Sequence, residues 1–217
     1  MLLKKLALVT GNHTGIGKAI SEHLIANGFE EPIVVRSKDY DLKDANACQK
    51  LIKDHIDKYG RLDLLVNNIG NYATGYIDDF SLEDWREIFA SNLDSSFYMS
   101  KYALPELRKQ KGKIINLGFC GLEKLSPPPE HFAYQAAKTA LLTMTKAIAK
   151  QEAQNQVTAN MISPGSMENT VEPEDCLKRV PMGRFGTLEE LCQIVSLILD
   201  NDYLTGQNIE IAGARAL

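Results

Sequence analysis

Apolar residues fall along this chain in two alternating rhythms. Short continuous runs lie within residues 6–10, 32–37, 62–66, 112–117 and 157–162, each bounded by polar or glycine-containing stretches. Such runs read as strands buried on both faces of a parallel sheet. Between them the apolar positions move to helical spacing. Examples are Ile16, Ile20 and Leu24, then Cys48, Leu51, Ile52 and Ile56, then Ala90, Leu93 and Phe97. Later come a long run from Phe132 to Ala153 and the set Leu191, Ile194, Val195 and Ile198. The pattern predicts helices over about 18–27, 42–58, 81–102 and 132–153 and from 187, with a turn and last strand within 203–211. Gly60 closes the second helix and Ser81-Leu82-Glu83-Asp84 opens the third like a capping box. Strand and helix in strict alternation imply an α/β fold, helices covering both faces of a mostly parallel sheet.

Composition narrows the function classes. The 217 residues suit one domain, taken as residues 1–217. A net charge of −4 offers no basic stripe for nucleic acid and no polybasic patch for a membrane. Cys48, Cys120, Cys176 and Cys192 are widely spaced, so neither a zinc site nor a disulfide framework is indicated, and no metal is expected. No apolar run is long enough to span a bilayer, and the start, Met1 to Lys5, lacks a signal-peptide pattern. The expectation is a reduced, cytoplasmic protein.

The first strand ends in Gly11-Asn12-His13-Thr14-Gly15-Ile16-Gly17, where a helix begins. Strand, glycine turn and helix in that order form a cradle for a dinucleotide pyrophosphate, because glycines admit the phosphates and a helix N-terminus offers N–H groups. A plain strand-to-helix turn rarely needs three glycines. His13 can lend a further donor. Near the end of the second strand stands Arg36 and no acid, which leans towards a 2′-phosphate and hence NADP(H), with NAD(H) still open. Arg36 also reads as a solvated strand end, since its register is uncertain by a residue.

Tyr134 and Lys138 lie four apart in the long helical run and so share a face. A free phenol titrates at about 10. An ammonium within hydrogen-bonding reach brings that value down towards a working range, making a tyrosine that exchanges protons with a substrate oxygen. The pair alone is common on solvated helix faces.

Taken together, five ordered motifs resemble the short-chain dehydrogenase/reductase family. They are Thr10-Gly11-x3-Gly15-Ile16-Gly17, Asn67-Asn68-Ile69-Gly70, Ser91-Asn92-Leu93, Tyr134-x3-Lys138 and Pro164-Gly165, and the likeness runs from Thr10 to Gly213. Pro181–Gly186 and Tyr203–Ile211 are similar to the 3-oxoacyl-acyl-carrier-protein reductase branch. The resemblance implies a single doubly wound α/β domain, the Rossmann fold. It further implies catalysis by Tyr134, Lys138 and Asn92, the last anchoring a relay water. Cofactor contacts would come from Gly11, Asn12, His13, Gly15, Ile16, Gly17, Arg36, Asp41, Leu42, Asn68, Ile69, Gly70, Tyr134, Lys138, Pro164, Gly165 and Asn169. Asp41 and Leu42 would flank the adenine, and Asn169, with Thr170 beside it, the nicotinamide carboxamide. The family's usual dimers or tetramers imply a homo-oligomer paired through helices around Ser91–Leu107 and Tyr134–Ala153.

The chain departs from the family in two places. There is no room between the second strand and Asp41-Leu42-Lys43-Asp44 for the customary helix and third strand. After the strand at 112–117 the family presents a substrate-binding serine, but this chain reads Leu117-Gly118-Phe119-Cys120-Gly121-Leu122, the gap being placed at Gly118. A lost transition-state donor costs about 3–4 kcal/mol, or roughly 10²–10³ in rate. Either Cys120, Ser126 or a backbone N–H replaces it, or the substrate does not require it, or the site is weakened. The leading expectation is an NADP(H)-dependent carbonyl reductase acting on a small molecule or acyl thioester. The alternatives are a pteridine or dihydrofolate-type reductase acting on C=N, and a catalytically weak dinucleotide-sensing protein.

Overall fold

The computed structural model describes residues 4–33, 35, 38–125, 128–169 and 174–217. Their strands are β1 (Ala7–Val9), β2 (Leu64–Asn67), β3 (Lys113–Leu117), β4 (Thr158–Pro164) and β5 (Asn208–Ile211), forming one parallel sheet in the order β1-β2-β3-β4-β5. The helices are α1 (Gly15–Ala26), α2 (Ala45–Tyr59), α3 (Leu82–Phe89), α4 (Ser95–Gln110), α5 (Phe132–Glu152) and α6 (Leu188–Asp200).

Strand pleating sorts the apolar residues between two helical layers. Leu8, Leu65, Ile114 and Ala159 pair across the sheet in one row, and all four pack with Cys48 and Leu51 of α2 and Met99, Ala103 and Leu107 of α4. The neighbouring positions Ala7, Val9, Leu64, Val66 and Ile115 face the other way, onto Ile20 and Leu24 of α1 and Leu191, Val195 and Ile198 of α6. Because successive side chains point to opposite faces, a continuous apolar run suits a strand covered twice.

The winding reverses at β1. The Leu6 carbonyl accepts from Asp63 N and Leu64 N on the β2 side, whereas the adjacent Lys5 carbonyl accepts from Glu30 N at 2.9 Å and Lys5 bridges Phe29 in parallel. Successive strand carbonyls point in opposite directions, so Phe29 and Glu30 flank β1 on the side away from β2. A full strand over 32–37 is not formed among the described residues. The segment is held instead by Asn12, whose side chain donates to Ile33 O at 2.9 Å and accepts from Val35 N at 3.0 Å. Val34, Arg36 and Ser37 lie outside the described residues. A reversal of this kind leaves a crevice beyond the strands' carboxyl ends, the usual ligand position in open α/β sheets.

Helix ends follow local chemistry. Asp44 caps α2 by accepting from Asn46 N, and Gly60 ends it at φ 76° with its N–H on Ile56 O. Ser81 caps α3. Thr187 and Glu190 form a reciprocal capping box on α6. The helix expected to end near Tyr102 is in fact α3, a π turn at Ala90–Asp94, and α4 running on to Gln110. It passes through Pro105, a residue that costs a helix interior about 3 kcal/mol. Ala103 and Leu107, both fully buried on the core face, offset that cost.

At their far ends α4 and α5 are joined by Arg108, which donates Nε to Glu152 Oε2 at 2.8 Å and Nη2 to Oε1 at 2.6 Å. Glu152 is fully buried and also accepts from Gln151 and Asn155, so its carboxyl titrates near 2, with the guanidinium as the main cause. The Arg108→Ala variant should therefore lose roughly 1.5–3 kcal/mol at pH 7 by urea unfolding, the range for a hydrogen bond to a charged group. A depressed carboxyl contributes stability above its unfolded value and loses it as pH falls through the folded one. The gap between wild type and variant should accordingly close between about pH 4.5 and 2.

Candidate functional site

Four loops meet at the carboxyl edge of the sheet: the glycine turn after β1, Asn68–Asn71 after β2, Gly118–Gly121 after β3 and Gly165 onwards after β4. The glycine turn is held from β2, since Asn68 N donates to Thr10 Oγ1 at 2.9 Å and Asn68 Nδ2 reaches the carbonyls of Thr10 and Gly11, each at 3.3 Å. Gly17 is required by close approach. A Cβ there would stand 2.3 Å from Gly11 O and 2.5 Å from Asn68 Nδ2. Gly11 and Gly15 both adopt positive φ. Thr14 begins α1 without any side-chain cap, so the first-turn N–H groups are not covered by a capping oxygen. That is what an anion at a helix N-terminus needs. Asn12 spends its side chain on segment 33–35, His13 is exposed, and Ile16 is packed against the second core.

Asn92 sits in the π turn, a helix irregularity of the kind associated with functional sites. Its amide donates to Asn71 O at 2.8 Å and Ile88 O at 3.0 Å, while Oδ1 is buried without a partner. Gly70 makes room for it, because a Cβ at 70 would lie 2.0 Å from that oxygen. A buried unpaired acceptor costs roughly 1–3 kcal/mol, so Oδ1 is well suited to accept a donor brought by a bound molecule.

Helix α5 packs against β3, β4 and the π turn and carries the tyrosine–lysine pair. The Lys138 ammonium donates to Leu117 O at 2.8 Å, at the end of β3, and lies 5.7 Å from the Tyr134 ring centre. Burial pulls the lysine down to about 8. It pushes the Tyr134 phenol up to about 12, with a smaller contribution from Tyr72. The sequence expectation of a lowered phenol is thus reversed. Desolvation dominates, and the ammonium that would counter it is turned to a carbonyl.

The neighbours of Tyr134 correct a second expectation. The side chain after β3 that meets the phenol is Phe119, with ring centres 5.4 Å apart, and the place of Gly118 is filled by Met161, Ser163 and Leu122. Where the resemblance implies a hydroxyl, the side chain found against Tyr134 is thus the Phe119 ring. Tyr72 also packs edge-on against Tyr134 at 5.1 Å and is hydrogen-bonded to His131. Phe119, Tyr72 and His131 were not singled out in the sequence. The available signal was spacing: His131 lies one helical turn before Tyr134, and Tyr72 two residues beyond Gly70.

The remaining positions divide. Ile69 packs on the first core, and Gly165 presses against Ala212, beyond Pro164. The Asn169 amide stands beside Gly15, 3.0 Å from where a Cβ would be, and so lies at the glycine turn. Asp41 is exposed and accepts from Lys43 N, whereas the Leu42 side chain belongs to the core. The stretch expected to be extended from Leu125 to Glu130 contains a short 3-10 turn at Pro129–His131. Arg36, Ser126 and Thr170 lie outside the described residues.

Comparisons with known proteins agree with this geometry. A family model described as enoyl-(acyl carrier protein) reductase matches residues 29–213. The 3-oxoacyl-acyl-carrier-protein reductase of Buchnera aphidicola is 30% identical, with 97% of this chain and 96% of that protein aligned. A Synechocystis reductase of the same name is 29% identical over 100% and 98%. Among solved structures, a blue fluorescent protein from a metagenomic library in complex with NADPH superposes with a TM-score of 0.88 at 25% identity, covering 98% of each chain. Fold, glycine turn and likeness together define a dinucleotide-binding α/β oxidoreductase. The chain belongs to the short-chain dehydrogenase/reductase family, whose cofactor is a nicotinamide dinucleotide. No helix among the described residues is long and apolar enough to cross a membrane.

Two outcomes test this site. Gly17→Ala forces the turn apart, should cost roughly 1–3 kcal/mol in unfolding free energy, and should weaken dinucleotide binding at least tenfold by calorimetric titration. Lys138→Met removes a charge whose burial is unfavourable. A lysine depressed to about 8 destabilises the fold in full below that pH and progressively less up to 10.5. The variant also loses the buried hydrogen bond to Leu117 O, so the expected outcome is in the pH dependence: relative to wild type it should be more stable to urea at pH 7 than at pH 10.5.

Proposed function

We propose that this protein is an NADP(H)-dependent carbonyl reductase acting on 3-oxoacyl thioesters or closely related ketones. The observation that carries the reading is α5 itself. It presents Tyr134 and Lys138 on one face, beside the π turn of Asn92 and above the end of β3. The acyl-thioester class is taken from the reductases it resembles, and NADP(H) from Arg36 together with the NADPH-bound neighbour.

When bound, the dinucleotide supplies a hydride for an electrophilic carbon. The glycine turn and the α1 N-terminus would take its pyrophosphate, and the ribose and nicotinamide would lie towards Asn68–Gly70, Lys138 and Pro164–Gly165. Asp41, with the backbone at Leu42, would border the adenine. Tyr134 would give its proton to the substrate oxygen. A phenol that titrates near 12 holds that proton throughout the physiological range, which suits reduction. Lys138 would steady the phenolate left behind, and Asn92 Oδ1 would accept from the water that reprotonates it. Assembly into a homo-oligomer through α4 and α5 belongs to the same reading, supported by Phe97, 45% exposed on α4. A flat heteroaromatic substrate such as a dihydropterin is the second reading, favoured by the Phe119 ring where the family has a donor.

The test is NADPH oxidation with acetoacetyl thioester and a dihydropterin in parallel, for wild type and Tyr134→Phe. The thioester should turn over, and the variant should lose roughly 10²–10⁴ in kcat while its Kd for NADPH stays within threefold. Turnover of the pterin alone selects the second reading. Tight NADPH binding with neither substrate consumed makes the protein a dinucleotide sensor.

A further inference from the structure

Around Tyr134 the structure sets one inert ring and one ring with a hydroxyl. Phe119 has nothing to donate. Tyr72 meets Tyr134 edge to face at 5.1 Å and is itself 54% exposed, so a ring that touches the phenol also reaches solvent. Its hydroxyl is hydrogen-bonded to His131 Nδ1, with Nε2 3.3 Å away, and the two rings are perpendicular at 5.4 Å. Glu130 Oε1 lies 3.6 Å from Nε2, so oxygens face both nitrogens of the imidazole. The segments that carry the pair are tied by Gly75 N donating to Glu130 O at 3.0 Å. His131 ends the 3-10 turn that runs straight into α5, so the imidazole and the Tyr134 phenol ride on one rigid stretch of backbone.

We propose that Tyr72, oriented by His131, is the second hydroxyl donor to the substrate oxygen. The proposal rests on the reductase reading above. A carbonyl oxygen gains negative charge as its carbon is reduced, and Tyr134 supplies one of the two hydrogen bonds such an oxygen can take. A phenol has a single hydrogen. With both imidazole nitrogens protonated, Nε2–H faces Glu130 and Nδ1–H donates to the Tyr72 oxygen, which leaves the phenol hydrogen for the substrate; a neutral imidazole with its proton on Nε2 accepts that hydrogen instead. No bond is made or broken at Tyr72; it contributes a hydrogen bond only. His131 acts through Tyr72 and is a positioning residue.

The experiment uses the full-length chain as wild type, Tyr72→Phe, His131→Phe, His131→Asn and Tyr134→Phe. It records kcat and KM for acetoacetyl thioester, thioester Kd in the presence of NADP⁺, Kd for NADPH, and Tm. Tyr72→Phe should lower kcat roughly 10²–10³-fold and weaken thioester binding at least threefold, with NADPH affinity and Tm unchanged. His131→Phe, which leaves Tyr72 in place, should fall by a similar factor. His131→Asn, whose amide can replace the Nδ1 donor, should recover at least tenfold over His131→Phe. Tyr72→Phe within threefold of wild type, beside an inactive Tyr134→Phe, overturns the proposal and leaves the reductase reading standing. An impaired Tyr72→Phe with His131→Asn no better than His131→Phe overturns the positioning role. Full turnover by Tyr134→Phe, or none by wild type, overturns the reductase reading and this proposal with it.

Discussion

Everything at the carboxyl edge depends on how α5 is fixed to the sheet. Asn67 of β2 donates to Asn116 of β3 at 2.8 Å and to Ser100 of α4 at 3.3 Å, and Asn116 in turn donates to Thr145 of α5 at 2.8 Å. One buried polar chain thus joins two strands and two helices. Seven residues earlier on α5, two helical turns away and on the same side, Lys138 reaches the Leu117 carbonyl. Two attachments on one strand set both the height and the rotation of the helix. Buried polar groups that are hydrogen-bonded specify one arrangement where an apolar contact would tolerate sliding. That fixes where a long helix presents Tyr134 relative to the end of β3.

The same burial sets the electrostatics. Lys138 and Tyr134 each lose solvation, and each is driven towards its neutral form, the lysine to about 8 and the phenol to about 12. A dyad of this kind is not a pre-formed phenolate waiting for a proton. It is a protonated phenol with the lysine nitrogen 5.7 Å from its ring centre, an arrangement that fits the proposed role of proton donor. The surroundings sharpen the point, since Phe119 brings an apolar ring against the phenol and Tyr72 with His131 a polar pair. On a sheet whose two faces are sealed by apolar layers, this edge is where polar chemistry accumulates.

Much of this was legible beforehand for a local reason. Strand and helix were visible in the change of apolar period, and the glycine turn in three glycines whose purpose, close backbone approach, is bound to residue type. Tyr134 and Lys138 were paired by helical geometry alone. Asn92 is a different case: spacing gave it no distinction, and only likeness to a family marked it before the π turn did. Within the expected strand at 32–37, the part that is described is tied to Asn12 through Ile33 O and Val35 N, a contact that an apolar run does not record.

The sequence by itself determined the order of elements, the double-sided sheet, the glycine cradle and the presence of a tyrosine four residues before a lysine. These follow from periodicity and residue chemistry, which act over a few positions. Only the tertiary structure decided where the lysine points, which way the phenol's acidity moves, and that Phe119 rather than Gly118 faces it. It alone brought Tyr72 and His131, 59 residues apart, into contact. Burial and long-range contact are properties of the packed chain, and desolvation and side-chain direction are consequences of them.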